Sequence, residues 1–215
     1  MELPYQAVIF DLDGVLCSTD QYHYQAWKCL ADRLQIPFDE TVNQRLRGVS
    51  RRESLEIILS GGDKTYSEEE KQQFAAEKNA HYVESLQQLT PKDLACGAVE
   101  VLERLHGAGV KIAVGSSSRN TQLILQRLGL DQRFDAVADG TQITHSKPDP
   151  EVFLLAARLV GVEPQHCLVV EDAKAGLEAA KAGSMDAAGI GGAAQDPLAD
   201  YALSVLSDLL PICRV

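Results

Sequence analysis

The first run of apolar residues, Ala7-Val8-Ile9-Phe10, leads directly into the acidic turn Asp11-Leu12-Asp13-Gly14. A short apolar run bounded by a turn signal is typical of a buried strand. Asp11 and Asp13 are two positions apart, so an extended backbone would project both side chains to the same side. They would lie at the strand end where ligands bind in open α/β sheets. Because two neighbouring carboxylates repel, the pair predicts a divalent metal or a shared proton; the alternative is an ordinary Asp-Gly turn.

The segment after that turn has its apolar residues at helical spacing. Ser18-Thr19-Asp20 offers N-cap residues, and an apolar stripe follows from Trp27 to Leu34. Ser50 and Glu53 predict a capping box, and Ser67 followed by three glutamates predicts the start of a long helix, whose dipole favours acid in the first turn. We therefore expect helices and no strand in this segment.

From about residue 90 the pattern alternates between strands and helices. Asp149 is expected to cap one of these helices, with Pro150 at its first position. Such alternation predicts a parallel sheet with helices on both faces. The expected strands lie at 111–115, 134–138 and 167–170, with a last one at 185–190.

The helical segment between the first two expected strands is too long to be a simple crossover. We therefore predict a Rossmann-like, doubly wound α/β core with an inserted α-helical cap domain. Residues 1–17 and 90–215 would form the core, and residues 18–89 would form the cap.

Composition narrows the range of partners. The chain has 215 residues, 45% of them hydrophobic, and a formal net charge of -11, which argues against nucleic acid or an anionic membrane as a partner. The five cysteines show no CxxC spacing and predict reduced thiols of a cytoplasmic protein. No signal peptide is expected at residues 1–5, and no apolar run approaches membrane-spanning length. An anionic substrate would need a local positive pocket in so acidic a protein.

Polar residues follow several of the predicted strands, and parallel strands place their carboxyl ends at one edge of the sheet. That edge should therefore collect carboxylates, hydroxyl groups and a lysine. Phosphoryl transfer needs such parts: a nucleophile, a hard cation and positive charge on the phosphoryl oxygens. Besides Asp11 and Asp13, the residues are Ser116, Ser117, Asn120, Lys147, Glu171 and Asp172.

Four of these stretches resemble, in order, the motifs of the haloacid dehalogenase superfamily of aspartate-nucleophile phosphotransferases. They are Asp11-Leu12-Asp13-Gly14-Val15, Ser116, Lys147 and Glu171-Asp172. The resemblance covers nearly the whole chain and fades after about residue 192.

Within that superfamily the sequence is most similar to mutases that isomerise sugar phosphates. The similarity includes His23, Arg47-Gly48-Val49-Ser50-Arg51, Ser54 and Lys78-Asn79. Three places depart from the usual residues: Cys17-Ser18, Ser117, and Arg47, where relatives often have lysine and the charge is kept.

The resemblance implies a role for each residue. Asp11 would accept the phosphoryl group, and Asp13 would act as general acid and base for the sugar hydroxyls. Mg²⁺ would be held by Asp11, the backbone carbonyl of Asp13, Glu171 and Asp172. Ser116 and Lys147 would bind the transferring phosphoryl group. Substrate-binding residues would be His23, Gly48, Val49, Ser50, Arg51, Ser54, Lys78, Ser116, Ser117, Asn120 and Lys147.

The implied activity is reversible isomerisation of a sugar phosphate, with glucose 1,6-bisphosphate as intermediate and activator, by a monomeric enzyme. A sugar-phosphate phosphatase of the same superfamily is the alternative, and a non-catalytic phosphosugar-binding protein is a third hypothesis. Arg51 also fits a solvated helix-start charge, His23 a structural histidine, and Lys78 a solvated lysine. Four histidines (His81, His106, His145, His166) and three arginines (Arg45, Arg52, Arg119) are not assigned to the site.

Overall fold

The computed structural model describes residues 3–215, and its strands form a single parallel sheet. The six strands lie in the order β3-β2-β1-β4-β5-β6. Their bounds are Ala7–Phe10 (β1), Lys111–Gly115 (β2), Ala136–Ala138 (β3), Cys167–Glu171 (β4), Asp186–Ile190 (β5) and Tyr201–Leu203 (β6).

Helices connect these strands and follow the last of them. Four of them lie between β1 and β2: Asp20–Leu34 (α1), Glu40–Gln44 (α2), Arg51–Leu59 (α3) and Glu68–Leu86 (α4). The others are Ala98–Gly107 (α5), Thr121–Leu128 (α6), Glu151–Val160 (α7), Lys174–Ala182 (α8) and Leu209–Cys213 (α9). None of the helices in residues 3–215 combines the length and the apolar composition that crossing a membrane requires.

Every side chain of β1 is apolar and buried, so both faces of the sheet at this strand are covered by other elements. Val8 and Phe10 belong to the hydrophobic cluster that contains α5, α6 and α9. Ala7 and Ile9, which project to the other face, belong to the cluster with α7 and α8. The predicted doubly wound parallel sheet with an inserted helical segment is confirmed.

The inserted helices have a hydrophobic cluster of their own, to which Trp27 and Leu30 of α1 and Leu55 and Ile58 of α3 contribute. α4 joins the two parts, because its Tyr82 and Leu86 pack in the cluster under the sheet. We propose residues 18–89 as the cap and 1–17 with 90–215 as the core; residues 1–2 lie outside the described part.

Two details of the predicted elements differ in the structure. The expected last strand, β5, is followed by a further parallel strand, β6, so the sheet extends by one strand. The helix expected to contain Pro150 at its first position begins at Glu151, and Pro150 occupies the N-cap position. Asp149 still accepts a hydrogen bond from the Glu151 amide at 2.9 Å, so it caps the helix from one residue further out.

Candidate active site

The central position of β1 brings the predicted site residues together. Phe10, the last residue of β1, pairs with Val114 of β2 on one side and Val170 of β4 on the other. The residues that follow these pairs, Asp11, Ser116 and Glu171-Asp172, therefore meet at the carboxyl edge of the sheet. From β1 to β3 the strands follow one another in one direction across the sheet, and from β4 to β6 they follow in the opposite direction on the other side of β1. Open α/β sheets bind ligands at the point where the strand order reverses in this way.

Lys147 connects two carboxylates at this edge. Its Nζ donates to Asp11 Oδ1 at 2.6 Å and to Glu171 Oε1 at 2.5 Å. Burial alone would lower the pKa of the Lys147 ammonium, but the charges of Asp11 and Glu171 outweigh burial and hold that pKa above its ordinary value. Lys147 is 1% exposed. The predicted lysine is thus a buried cation fixed beside the predicted nucleophile.

Two glycines make room for the carboxylates of Glu171, the last residue of β4, and of Asp172, which follows it. Gly14 has a φ of +85°, and a Cβ there would overlap the carboxylate of Asp172. A Cβ at Gly176 would likewise overlap the carboxylate of Glu171. Glycine at these two positions therefore provides room that any other residue would fill.

Asp11, Glu171 and Asp172 form a group whose ligand oxygens all lie within 4.8 Å of one another. Burial, followed by the charges of Glu171 and Asp11, raises the pKa of Asp172 to about 8, and burial also raises the pKa of Glu171. A divalent cation would relieve this repulsion. A set of carboxylate oxygens fits a hard cation such as Mg²⁺ better than zinc.

The side chain of Asp13 lies outside that group. Its Oδ1 accepts a hydrogen bond from the hydroxyl of Thr19. Burial and the nearby charge of Asp11 raise the pKa of Asp13 to about 7. Asp13 can therefore both hold and release a proton near neutral pH, as a general acid and base must.

A cavity of about 990 Å³ separates this edge from the cap helices. Its volume suits a sugar phosphate or a somewhat larger ligand. Every residue that the sequence assigned to the site lines this cavity: Asp11, Asp13, His23, Gly48, Val49, Ser50, Arg51, Ser54, Lys78, Ser116, Ser117, Asn120, Lys147, Glu171 and Asp172.

Arg51 and Arg119 both line this cavity, Arg51 from the first residue of α3 and Arg119 from the loop after β2. Burial and the charge of Arg119 lower the pKa of Arg51. No carboxylate of residues 3–215 pairs with either arginine, whereas Arg52 pairs with Glu68 at 2.8 Å. Arg51 and Arg119 are therefore available for an anionic ligand.

Arg47, a further arginine of the cavity wall, has a different position. Its guanidinium pairs with Asp20 at the start of α1 and donates to Asp172 Oδ2 at 3.3 Å. It therefore connects the cap to the carboxylate group of the core.

His23 and Lys78 form a buried pair on the cap side. Lys78 Nζ lies 2.9 Å from His23 Nδ1 and 4.7 Å from the centroid of the Trp27 ring. Burial and the charge of Arg51 lower the pKa of Lys78 to about 7, and burial with the charge of Lys78 lowers the pKa of His23. Lys78 is 2% exposed, so the alternative interpretation of Lys78 as a solvated lysine is excluded.

Smaller polar groups complete the wall. Ser50 accepts from the Glu53 amide at 3.2 Å, as the predicted capping box requires, and Gly48 before it has a φ of +75°. Asn120 Nδ2 donates to Asn79 Oδ1 at 3.0 Å, which ties the loop after β2 to α4. Ser116 Oγ accepts from the Ser118 amide at 3.2 Å, Ser117 Oγ lies 3.5 Å from the Lys147 amide, and Ser54 is buried.

Sequence reasoning missed Arg119 and the hydroxyl groups behind Asp13. Arg119 lies within the stretch from Ser116 to Asn120 that the sequence assigned to the site, and this position was a signal that could have identified it. Thr19 was interpreted only as a helix cap, but its hydroxyl makes no capping bond and is directed to Asp13 instead. Tyr82, which donates to Thr19, lies 63 positions further along and gave no local signal.

The comparison with known families agrees with this geometry. The family of haloacid dehalogenase-like hydrolases matches residues 5–183, and the chain belongs to that family.

Three similar proteins, two compared by sequence and one by structure, indicate which members of the family resemble this chain. The chain is 44% identical over 206 residues to the β-phosphoglucomutase of Bacillus subtilis, covering 95% of this chain and 91% of the relative. It is 34% identical over 184 residues to a phosphorylated carbohydrates phosphatase of Thermotoga maritima, covering 84% and 82% of the two chains. The crystal structure of a β-phosphoglucomutase from Clostridium difficile superposes with a TM-score of 0.91 at 39% identity, covering 95% of this chain and 93% of that one.

Proposed function

We propose that this chain is a β-phosphoglucomutase, which reversibly converts β-D-glucose 1-phosphate to β-D-glucose 6-phosphate through glucose 1,6-bisphosphate. The observation that carries the proposal is the presence of two groups of cations in one cavity. Lys147 stands beside Asp11, while Arg51 and Arg119 stand together without a carboxylate partner. A bisphosphate needs both groups, because one phosphate must be held while the other is transferred.

The core end would carry out the transfer itself. Asp11 attacks the phosphoryl group and holds it as an aspartyl-phosphate. Lys147, whose ammonium is 2.6 Å from Asp11 Oδ1, and Ser116 neutralise and orient the phosphoryl oxygens. Asp11 would thus act as nucleophile on a phosphate already fixed by its neighbours.

Proton transfer belongs to Asp13. In one direction it protonates the sugar oxygen that leaves, and in the other it removes the proton from the sugar hydroxyl that attacks. Its pKa near 7 suits both tasks.

Mg²⁺ fits the group formed by Asp11, Glu171 and Asp172, with the Asp13 backbone carbonyl as a further ligand. When bound, the ion neutralises charge on the phosphoryl oxygens. Glu171 has a second task, because it shares Lys147 with Asp11 and so positions the lysine.

The cap end would hold the rest of the substrate. The planar guanidinium of Arg51 can pair with two phosphate oxygens at once, and Arg119 with Asn120 would complete a site for the distal phosphate. His23, Lys78 and Ser54 would contact the sugar, while Gly48, Val49, Ser50 and Ser117 shape the wall.

The second candidate is a sugar-phosphate phosphatase, which the similarity to the Thermotoga maritima phosphatase favours. It would use the same aspartyl-phosphate and differ only in letting water attack it. A non-catalytic binding protein is disfavoured, because Asp11, Asp13 and Lys147 are all present and Lys147 Nζ lies 2.6 Å from Asp11 Oδ1.

One assay separates mutase from phosphatase. The protein receives β-glucose 1-phosphate, a trace of glucose 1,6-bisphosphate and Mg²⁺, and glucose 6-phosphate and inorganic phosphate are followed together. We expect isomerisation to exceed phosphate release by orders of magnitude. Comparable rates, or phosphate release alone across several sugar phosphates, would identify a phosphatase.

The same assay tests the metal. EDTA should stop the reaction, and Mg²⁺ should restore it. Full activity in EDTA would contradict the proposed magnesium site. A cytoplasmic location and a monomeric state complete the proposal, in keeping with cysteines that form no disulfide.

A further inference from the structure

One carboxylate ties the loop that contains Lys147 to the helix that follows it. Residues 139–150 connect β3 to α7. Glu151, the first residue of α7, accepts from the Thr144 amide at 3.0 Å and from the His145 amide at 2.7 Å. These two bonds lower the pKa of Glu151, so its carboxylate is ionised at neutral pH. The side chain therefore reaches back along the loop and closes it around Lys147.

The tip of Lys147 and its backbone are held by different groups. The ammonium contacts Asp11 and Glu171, and it lies 4.5 Å from the centroid of the Phe153 ring of α7. The backbone amide lies 3.5 Å from Ser117 Oγ, which is long for a hydrogen bond. The position of the Lys147 backbone therefore depends on how the neighbouring residues of its loop are held.

Asp149, the other carboxylate at the start of α7, has a different set of contacts. Its Oδ1 accepts from the Glu151 amide at 2.9 Å, which belongs to the helix. Asp149 thus caps α7, while Glu151 binds amides of the loop. Two carboxylates that are two positions apart differ in which part of the backbone they hold.

We propose that Glu151 is a positioning residue for Lys147. By accepting from the amides of Thr144 and His145, it fixes the loop where the Lys147 ammonium reaches Asp11. Glu151 is not among the residues of the described part, 3–215, that line the cavity. It therefore acts through the loop and not by contact with the substrate.

The inference rests on the proposed function, in which Lys147 neutralises the phosphoryl oxygens while Asp11 attacks. Acetyl phosphate is the simplest donor for this step. The bond from an Asp11 oxygen to phosphorus forms, the bond from phosphorus to the acetyl oxygen breaks, and acetate leaves with the electron pair. Acetate needs no protonation and the donor has no sugar, so labelling of Asp11 by acetyl phosphate reports on the nucleophile and Lys147.

Two replacements of Glu151 separate its hydrogen bonds from its charge. Glu151→Ala removes both bonds to the loop and should slow labelling about tenfold, because even a small misplacement of a catalytic group is costly. Glu151→Gln removes the charge but keeps an oxygen that can accept from the amides, so it should retain most of the rate. Intact-mass measurement in the presence of Mg²⁺ gives both rates. An equal loss in the two variants would assign the effect to the charge and overturn the inference.

Asp149→Ala is the matched control. It also removes a carboxylate and a bond to a backbone amide at the start of α7. Thermal unfolding is measured for Asp149→Ala and Glu151→Ala, and we expect a similar stability loss in both. Labelling should be slowed in Glu151→Ala alone. The same loss of labelling in Asp149→Ala would show that the start of α7 matters only for stability, and this would overturn the inference.

His145→Ala distinguishes the His145 backbone from its ring. The imidazole Nδ1 lies 3.3 Å from Glu151 Oε2, and the side chain is largely exposed. The replacement removes the ring and leaves the amide, so labelling should proceed as in wild type. A loss as large as that of Glu151→Ala would assign the role to the imidazole and contradict the proposed tie through the backbone.

A double-mutant cycle tests the route through Lys147. Lys147→Met removes the ammonium, so adding Glu151→Ala to it should have no further effect on labelling. Additive losses would show that Glu151 acts by another route and would overturn the inference. Should Lys147→Met fail to fold, Glu151→Ala, Glu151→Gln and Asp149→Ala decide the matter by themselves.

The failure of this inference differs from the failure of the proposed function. A wild-type chain that acetyl phosphate labels as fast as it labels Glu151→Ala would overturn the positioning role and leave the proposed function intact. A wild-type chain that is not labelled at all would overturn the proposed function, and the inference with it.

Discussion

The two ends of the cavity differ in how their charges are balanced. At the core end, Lys147 is shared between Asp11 and Glu171 at 2.6 and 2.5 Å, and Asp172 adds a third carboxylate. At the cap end, Arg51 lies beside Arg119 with no carboxylate of residues 3–215 as partner. The first end has acid in excess and suits a cation; the second has unbalanced positive charge and suits an anion.

This difference shows how a chain of net charge -11 can accept an anionic substrate. The chain need not be basic overall. It is enough that a few cationic side chains in the cavity have no carboxylate partner. Arg52 has the same charge as Arg51 and is adjacent to it in the sequence. Its charge, however, is balanced by the exposed ion pair with Glu68. Pairing, rather than the count of arginines, distinguishes the two.

The largest effect is expected at the core end. Asp11→Asn removes the proposed nucleophile and one of the two carboxylates that pair with Lys147, so turnover and the formation of a phosphoenzyme should both be lost. Intact-mass measurement after incubation with a phosphoryl donor reports the phosphoenzyme. Asp149→Asn is the control, because Asp149 lines the same cavity but only caps α7. Normal labelling of Asp11→Asn would show that the nucleophile lies elsewhere.

The core end could be predicted from the sequence because strand ends of a parallel sheet converge. Asp11, Ser116 and Glu171-Asp172 each follow an apolar run directly, so a local pattern sufficed to place them at one edge. Lys147 belongs to the loop before α7, which the alternation of strands and helices also assigned to this edge. Its two ion pairs span 136 and 24 positions, which no local pattern can reveal.

The cap end and the sheet border were harder to predict. Arg119 was left out because a single arginine in a loop has no signature of its own; only the fold places it beside Arg51. β6 was missed because its three residues, Tyr201–Leu203, are too short an apolar run to indicate a strand, and they pair with β5 only in the folded sheet. Thr19 was placed at a helix start correctly, but its hydroxyl bonds to Asp13 instead of the helix amides.

An intermediate effect is expected at the cap end. Arg51→Ala removes the proposed charge-assisted contact to the distal phosphate, and such a contact contributes about 1.5–3 kcal/mol. We therefore expect kcat/KM to fall about ten- to a hundredfold for the bisphosphate. Labelling of Asp11 by acetyl phosphate should be unaffected, since that donor has no distal phosphate. Arg52→Ala removes the neighbouring, paired arginine and should change neither quantity. Equal losses in the two variants would mean that Arg51 acts only through the general charge of the cap.

The smallest effect distinguishes two capping boxes of the same geometry. Ser50 and Ser67 each accept from the third helical amide at 3.2 Å, in α3 and α4 respectively. Replacing either with alanine should lower the free energy of unfolding by about 1 kcal/mol, which urea unfolding measures. Only Ser50 precedes Arg51 and lines the cavity. Ser50→Ala should therefore also raise KM, by about threefold, because a frayed first turn holds Arg51 less firmly. If Ser67→Ala raised KM as much, general loosening of the cap would explain both results, and the start of α3 would lose its proposed link to the distal phosphate.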